Sequence, residues 1–287
     1  MPDIAQIRME HLVVQYGRFT AVNDLTLSVA AGELFGFLGP NGAGKSTTIK
    51  VLIGVCQPTA GVVEVAGFRI PGQLNQIKPL FGYVPDTENH IEEFTGRENL
   101  NLFADLYSIK RDAVKTALRR LELEEAADLP VRNYSKGMRR KLLIAREIMH
   151  QPKILYLDEP TANLDAHSTQ VVRRLLRELA SSGVTVFMTT HDMEEVEAIC
   201  DRVAILAKGR LIECDTPANF VVRHAERKVE IQFELEGEMF REVLNLDQPA
   251  ERDRLAMLIQ TRHCSRLHTQ EFHFEDVFLK LTGQVYA

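Results

Sequence analysis

An apolar strand, Glu33 to Leu38, runs into Gly39-Pro40-Asn41-Gly42-Ala43-Gly44-Lys45-Ser46-Thr47, and a helix is predicted to run out of it from Lys45 to about Gly54. Glycines at 39, 42 and 44 let the backbone wrap closely around an anion, with successive N–H groups turned inward. Lys45 adds a mobile positive charge. The helix start adds unpaired N–H donors and roughly half a positive charge, and Ser46 stands where a Mg²⁺ ligand is wanted. A glycine, four residues and then Gly-Lys-Ser, all following a strand, is the complete P-loop pattern, a cradle for nucleotide phosphates.

A second apolar strand, Ile154-Leu155-Tyr156-Leu157, delivers two adjacent acids, Asp158 and Glu159, ahead of Pro160. Parallel sheets gather their ligands at the carboxyl ends of strands. Asp158 is predicted to reach Mg²⁺, directly or through water, and Glu159 to polarise the water that attacks a γ-phosphate. The alternative, a surface turn with two solvated acids, loses weight beside an upstream P-loop. A third segment, Tyr134-Ser135-Lys136-Gly137-Met138, precedes an apolar helix. In isolation Ser135 reads as a helix N-cap and Gly137 as a turn residue. Its place ahead of the acidic strand, with Thr189-Thr190-His191-Asp192 after a later strand, is what gives it functional meaning.

These residues need elements to hold them. A chain of 287 residues predicts one large domain with a smaller appendage, and 45% hydrophobic residues suffice for such a core. Partial alternation from Ile7 to Val29 predicts a small N-terminal antiparallel sheet. Gly61 to Gly67 and Phe81 to Val84 read as strands, and helical spacing from about 87 to 150 (Leu100, Phe103, Leu106; Val114, Leu118, Leu121) predicts a helical subdomain. Strands at Ile154–Leu157, Val184–Met188 and Val203–Leu206 alternate with helices near Ser168–Ala180 and Met193–Cys200, which implies a mainly parallel sheet and an α/β core. Beyond Pro217 the pattern changes to strict alternation at Val229, Ile231, Phe233 and Leu235. A boundary is therefore placed near 220, with 1–220 as the nucleotide-binding domain and 221–287 as a small α+β accessory domain.

Apolar runs of four or five residues are far short of the roughly 20 needed to cross a bilayer as a helix. The start Met1-Pro2-Asp3-Ile4 shows neither a basic leader nor an apolar segment, which predicts a cytoplasmic protein. Cys56, Cys200, Cys214 and Cys264 are too dispersed for a zinc site or a disulfide framework and read as reduced thiols. A net charge of −6 argues against nucleic acid as the main partner.

The order of these motifs, from about residue 5 to 220, resembles the ATP-binding cassette (ABC) ATPases. Gly39–Thr47 resembles their Walker A motif, Asp158 and Glu159 the end of Walker B, Tyr134–Met138 the signature motif, Asn163-Leu164-Asp165 the D-loop, and His191 the switch histidine that contacts the γ-phosphate. Tyr16 resembles the aromatic residue that stacks on adenine, with Ala21 and Val22 on the same face; a core tyrosine is the alternative. The resemblance implies ATP and Mg²⁺ as cofactors. It also implies a dimer in which Ser135, Gly137 and Asp165 act on nucleotide held by the P-loop of a second copy. Gly82-Tyr83-Val84-Pro85-Asp86 resembles the Q-loop, with Asp86, a further candidate metal ligand, in place of the usual glutamine.

The Ser-Lys-Gly-Met signature, Asp86 and the closing segment Phe274–Gly283 resemble the subset that serves ABC-2-type exporters. That implies a separate transmembrane permease as partner, a peripheral position on the cytoplasmic membrane face, and docking near Asp86–Arg97, although individual leucines of the Leu100, Phe103, Leu106 stripe read first as core. Two alternatives stand beside this reading: a regulatory module whose hydrolysis Asp86 impairs, and a soluble ABC protein outside transport. His263, Cys264, His268 and His273 do not have metal-site spacing and are not expected to bind metal.

Overall fold

A computed structural model describes residues 5–235, 238–261, 263–269 and 272–283. They form two compact units, dividing after Pro217.

The first unit opens with β1 (Ala5–Tyr16) and β2 (Phe19–Ala30), an antiparallel hairpin in which Tyr16 faces Phe19 across the turn. Ile7 and Met9, then Leu12 and Val14 beyond a shift in register, are buried, the period of a sheet with one covered face. Next come β3 (Leu34–Leu38), α1 (Lys45–Leu52), β4 (Ala60–Val65), β5 (Phe68–Ile70), α2 (Leu74–Ile77) and β6 (Phe81–Val84). β4 and β5 complete a four-stranded antiparallel sheet in the order β2-β1-β4-β5.

A helical stretch follows: α3 (Gly96–Leu106), α4 (Arg111–Arg120) and α5 (Lys136–Ile148). α3 begins in a capping box, where Glu98 N donates to Thr95 Oγ1 at 3.1 Å and Thr95 N to Glu98 Oε2 at 2.8 Å. Val114, Leu118 and Leu121 are buried as their spacing predicts. The stripe on α3 divides: Leu100 is buried, as a core leucine would be, but Leu106 is 69% exposed beside Tyr107, so the reading of Leu106 as core is corrected. α3 finds cover from α4 and α5, from Tyr134 against Gly96, and from the segment at Ile91, which Asn99 bonds through both its amide atoms.

The central sheet is completed by β7 (Ile154–Asp158), α6 (Ala166–Ser181), β8 (Thr185–Thr190), α7 (Met193–Ile199), β9 (Arg202–Ala207) and β10 (Arg210–Asp215). Its order is β10-β9-β3-β8-β7-β6, parallel except for the antiparallel edge strand β10. β3, β7 and β8 are buried at every position, hence the apolar runs Leu34–Leu38, Ile154–Leu157 and Val186–Met188 within them. One face carries a row of rings: Phe35 and Phe37 lie 5.6 and 5.1 Å from Phe187, Tyr156 6.0 Å from Phe187, and Phe81 5.6 Å from Tyr156. These contacts tie β3, β8, β7 and β6 into one plate whose carboxyl ends lie side by side.

The second unit contains β11 (Lys228–Leu235), β12 (Glu238–Asn245), α9 (Pro249–Thr261) and β13 (His263–Thr269), with sheet order β12-β11-β13 and a small core of Ile231, Phe233, Leu244 and Leu258. α8 (Pro217–His224), which spans the division, and α10 (Phe274–Thr282) meet through Phe220 and Phe274, 5.5 Å apart. Of the tail residues weighed for metal, Cys264 and His268 stand on β13, and the backbone N of His273 donates to Asp276 at the start of α10.

Phe187 sits at the centre of the ring row and is fully buried. Phe187→Ala should destabilise the first unit by about 3–5 kcal/mol through lost burial and the cavity left behind. Urea unfolding of the purified chain measures this as a lower transition midpoint.

Candidate active site

The loop after β3 has no room for side chains where it is tightest. A Cβ at Gly39 would lie 2.5 Å from the Leu206 carbonyl, and one at Gly44, whose φ is +105°, would lie 2.6 Å from the Ala21 carbonyl. Gly44 caps α1, whose first turn carries no acid to offset its positive end. Lys45 is almost completely buried; its ammonium donates to the Gly39 carbonyl at 2.5 Å and the Pro40 carbonyl at 3.3 Å. Burial lowers its pKa, while Glu159 and Asp158 act in the opposite direction. The charge is thus confined to the loop, with Glu159 and Asp158 as the acids that act on it.

A cavity of about 370 Å³ opens over this loop, lined by Asn41, Gly42, Ser46 and Thr47 on one side and by Asp86, Asp158 and Glu159 on the other. Asp158 ends β7 and accepts a 2.5 Å hydrogen bond from Thr189 Oγ1 on β8. Glu159 follows with φ +51°, a left-handed conformation costing of order 1–3 kcal/mol for a residue other than glycine. Its N–H donates to the Thr189 carbonyl at 3.1 Å, and its Oε2 lies 2.8 Å from His191 Nδ1. His191 is largely exposed and Glu159 largely covered. The pair therefore forms an acid at the cavity wall held by a histidine that lines an adjoining pocket with Asn163 and Thr190, the arrangement expected for positioning an attacking water. Tyr83, behind the acids, has its pKa pushed up to about 12 by burial and by Asp158.

Ser46, Asp86 and Asp158 share the cavity and offer hard oxygen donors. Among the described residues no three His, Cys, Asp or Glu side chains close into a cage for a metal ion. This donor set instead suits a Mg²⁺ ion that completes its shell with substrate phosphate oxygens and water.

Ser135, Gly137 and Asp165 are not among the residues lining this cavity. Ser135 caps α5, accepting from Met138 N at 3.2 Å. Gly137 is buried so closely on α6 that a Cβ would lie 2.6 Å from Ser168 Oγ and 3.1 Å from Asp165 Oδ2. Asp165 caps α6, accepting from Ser168 N and Ser168 Oγ at 2.8 Å each, bonds that hold its pKa low. Tyr16 is half exposed, which corrects the core alternative, and its hydroxyl lies 3.3 Å from Cys56 Sγ. Phe19, its partner across the hairpin, is the aromatic ring that lines the cavity together with Ala21; Val22 is fully buried. Sequence reasoning missed Phe19 and Thr189. The signal for Phe19 was its place three residues after Tyr16 in a tight Gly17-Arg18 turn; Thr189 carried none beyond its position ahead of His191.

The sequence profile of the ABC transporter family matches residues 22–162. The chain is 36% identical to the Nod factor export ATP-binding protein I of Mesorhizobium japonicum, over 94% of this chain and 84% of that protein. It is 32% identical to a fluoroquinolones export ATP-binding protein of Mycobacterium tuberculosis, over 97% and 93%. Among solved structures, an ATP-binding subunit of an ABC transporter superposes with a TM-score of 0.69 at 29% identity, covering 76% of this chain and 92% of that one. A dimeric bacterial ABC transporter cassette superposes with a TM-score of 0.67 at 25% identity, covering 73% and 98%.

Lys45→Met should abolish retention of nucleoside triphosphate in equilibrium dialysis while leaving the ligand-free chain at least as stable at pH 7. The sign follows from the lowered pKa: the folded state binds the lysine proton less tightly than the unfolded state, so the cost is full at neutral pH. It shrinks as pH rises toward the ordinary value of 10.5, and the stability difference between variant and wild type should narrow over that range in urea melts.

Proposed function

The chain belongs to the ABC transporter family of ATPases, and from that premise we propose that it is the ATP-hydrolysing subunit of an exporter, pairing with a second ATP-binding subunit to drive a separate membrane permease. The observation that carries this reading is a single cavity shared by Lys45, Ser46, Asp86, Asp158 and Glu159, with His191 in contact with Glu159 from the adjoining pocket.

In this reading the P-loop amides and the Lys45 ammonium receive the β- and γ-phosphates, and the rings of Tyr16 and Phe19 offer a face to adenine. Ser46, Asp86 and Asp158 would hold Mg²⁺, which when bound offsets charge on the phosphate oxygens. Thr189 keeps the Asp158 carboxylate in place, and Glu159 takes a proton from the attacking water. His191, fixed through Nδ1, keeps its other ring nitrogen available to the γ-phosphate. Ser135, Gly137 and Asp165 are assigned to the nucleotide of the partner copy. Their caps and close packing make them a rigid surface suited to that task.

Two observations support the exporter reading. The relatives named for export match over nearly the whole chain, the second unit included. The α3 region exposes apolar side chains, with Leu106 and Tyr107 each more than half exposed, an area suited to covering by a permease segment. Among the described residues no helix is long and apolar enough to cross a membrane. We assign the chain to the ABC-2-type subset, peripheral on the cytoplasmic membrane face, with hydrolysis separating the pair that ATP brings together.

Glu159→Gln should lower ATP turnover by about 10²- to 10⁴-fold. The same variant should keep its ATP affinity in calorimetry, and in light scattering with Mg-ATP its mass should double. Wild-type turnover in this variant would remove Glu159 from the mechanism, and a persistent monomer would refute pairing. Asp86→Gln, assayed beside it, shows whether the aspartate restrains the rate.

A further inference from the structure

Arg140 lies on α5, five residues beyond Ser135, and is 5% exposed. Its guanidinium meets five backbone carbonyls from two separate segments. On one side it donates to the carbonyls of Pro85 and, at 3.4 Å, Asp86. On the other it donates to the carbonyl of Asp158, to that of Glu159 at 2.5 Å, and to that of Pro160 at 3.2 Å. A guanidinium carries five N–H donors in a fixed planar fork, and here they are spread over the two chain segments that leave the paired strands β6 and β7, just beyond the last paired residues Val84 and Leu157. Burial lowers its pKa, opposed by the carboxylates of Asp86, Asp158, Glu88 and Glu159.

The consequence centres on Glu159. Its left-handed backbone persists only where the surroundings over-determine it. Its N–H is fastened to Thr189 on β8, and its carbonyl to Arg140 on α5. The peptide groups on both sides of the strained residue are therefore pinned, and the same side chain pins the backbone that carries Asp86.

We propose that Arg140 is the positioning residue for the hydrolytic step: it fixes the backbone of Glu159 in its left-handed turn and that of Asp86 at the cavity edge, and so sets where both carboxylates stand. The proposal rests on Glu159 being the residue that activates water. Lysine at this position keeps the charge, but its three donors sit on one nitrogen and cannot reproduce contacts that Arg140 makes from Nε, Nη1 and Nη2.

The test compares Arg140→Lys and Arg140→Gln with wild type and with Glu159→Gln, in full-length protein with Mg-ATP. Both Arg140 variants should lose about 10- to 100-fold in kcat, the scale of a small misplacement of a reacting group. Binding of a fluorescent ATP analogue in the absence of Mg²⁺ should stay at its wild-type value, because the P-loop is untouched, and any rise in KM for Mg-ATP should be smaller than the fall in kcat. Hydrogen exchange should quicken in residues 85–87 and 158–162 together and stay slow in 34–38. Wild-type kcat in folded Arg140→Lys overturns the proposal, as does a rise in KM that accounts for the whole loss. A chain that does not fold even as Arg140→Lys makes Arg140 a residue of the fold alone and overturns it too. Full turnover in Glu159→Gln would instead defeat the reading of the site, whereas an inactive Glu159→Gln beside a fully active Arg140→Lys defeats only the role given to Arg140.

Discussion

Three carboxylates, Asp86, Asp158 and Glu159, face one ammonium across a single cavity, and the fold is arranged around that imbalance. Like charges at such range raise one another's cost unless cations and oriented dipoles answer them. Lys45, the α1 N-terminus and the loop amides supply positive charge on one side of the cavity, and the buried Arg140 guanidinium acts on the same acids. Thr189, a neutral hydroxyl, holds Asp158, and a histidine holds Glu159. Because these groups come from the ends of β3, β6, β7 and β8 or the loops beyond them, the sheet must keep those four strand ends level. The ring row from Phe35 through Phe187 to Tyr156 does this from within the core.

The cost of this arrangement falls where the chemistry is. Lys45 is buried against its tendency to stay hydrated, and Glu159 is twisted into a conformation that few side chains adopt. Glu195 on α7 is another case. It is fully buried, its Oε1 accepts from Thr161 Oγ1 at 2.6 Å, and burial raises its pKa. That bond fastens the segment just after Glu159 to the helix just after His191, so acid and histidine are joined a second time behind the site. Strain of this kind is tolerated only in a stiff frame, and the uniformly buried strands β3, β7 and β8 provide it.

Contacts between residues close in sequence were legible. The P-loop declared itself because its glycines, lysine and serine act within nine consecutive residues, and the central strands because burial on both faces leaves an unbroken apolar run. Contacts between distant residues were not legible. Nothing in the neighbourhood of Arg140 says that its fork reaches carbonyls at 85–86 and 158–160, and nothing about Thr189 announces a bond to Asp158. Backbone conformation was equally hidden, since glutamate is a poor sign of a left-handed turn. The elements that escaped notice, β10, β12 and β13 among them, lie at sheet edges, where exposed positions dilute the alternation that marks a strand. Conversely, the regular spacing of Leu100, Phe103 and Leu106 overstated burial, because period alone does not tell a helix face that meets protein from one left open.

Asp86 shows how the distant contacts change a conclusion drawn from residue type. An aspartate in place of glutamine is one methylene shorter, which by itself predicts a side chain that falls short of the metal side of the cavity. Reach, however, is set by the backbone as much as by the side chain. The carbonyls of Pro85 and Asp86 are drawn onto Arg140, which is drawn in turn onto the carbonyls of Asp158 and Glu159, and Asp86 lines the same cavity as Ser46 and Asp158. The identity of residue 86 therefore has to be read together with that of residue 140, some fifty positions later in the chain and in direct contact with it.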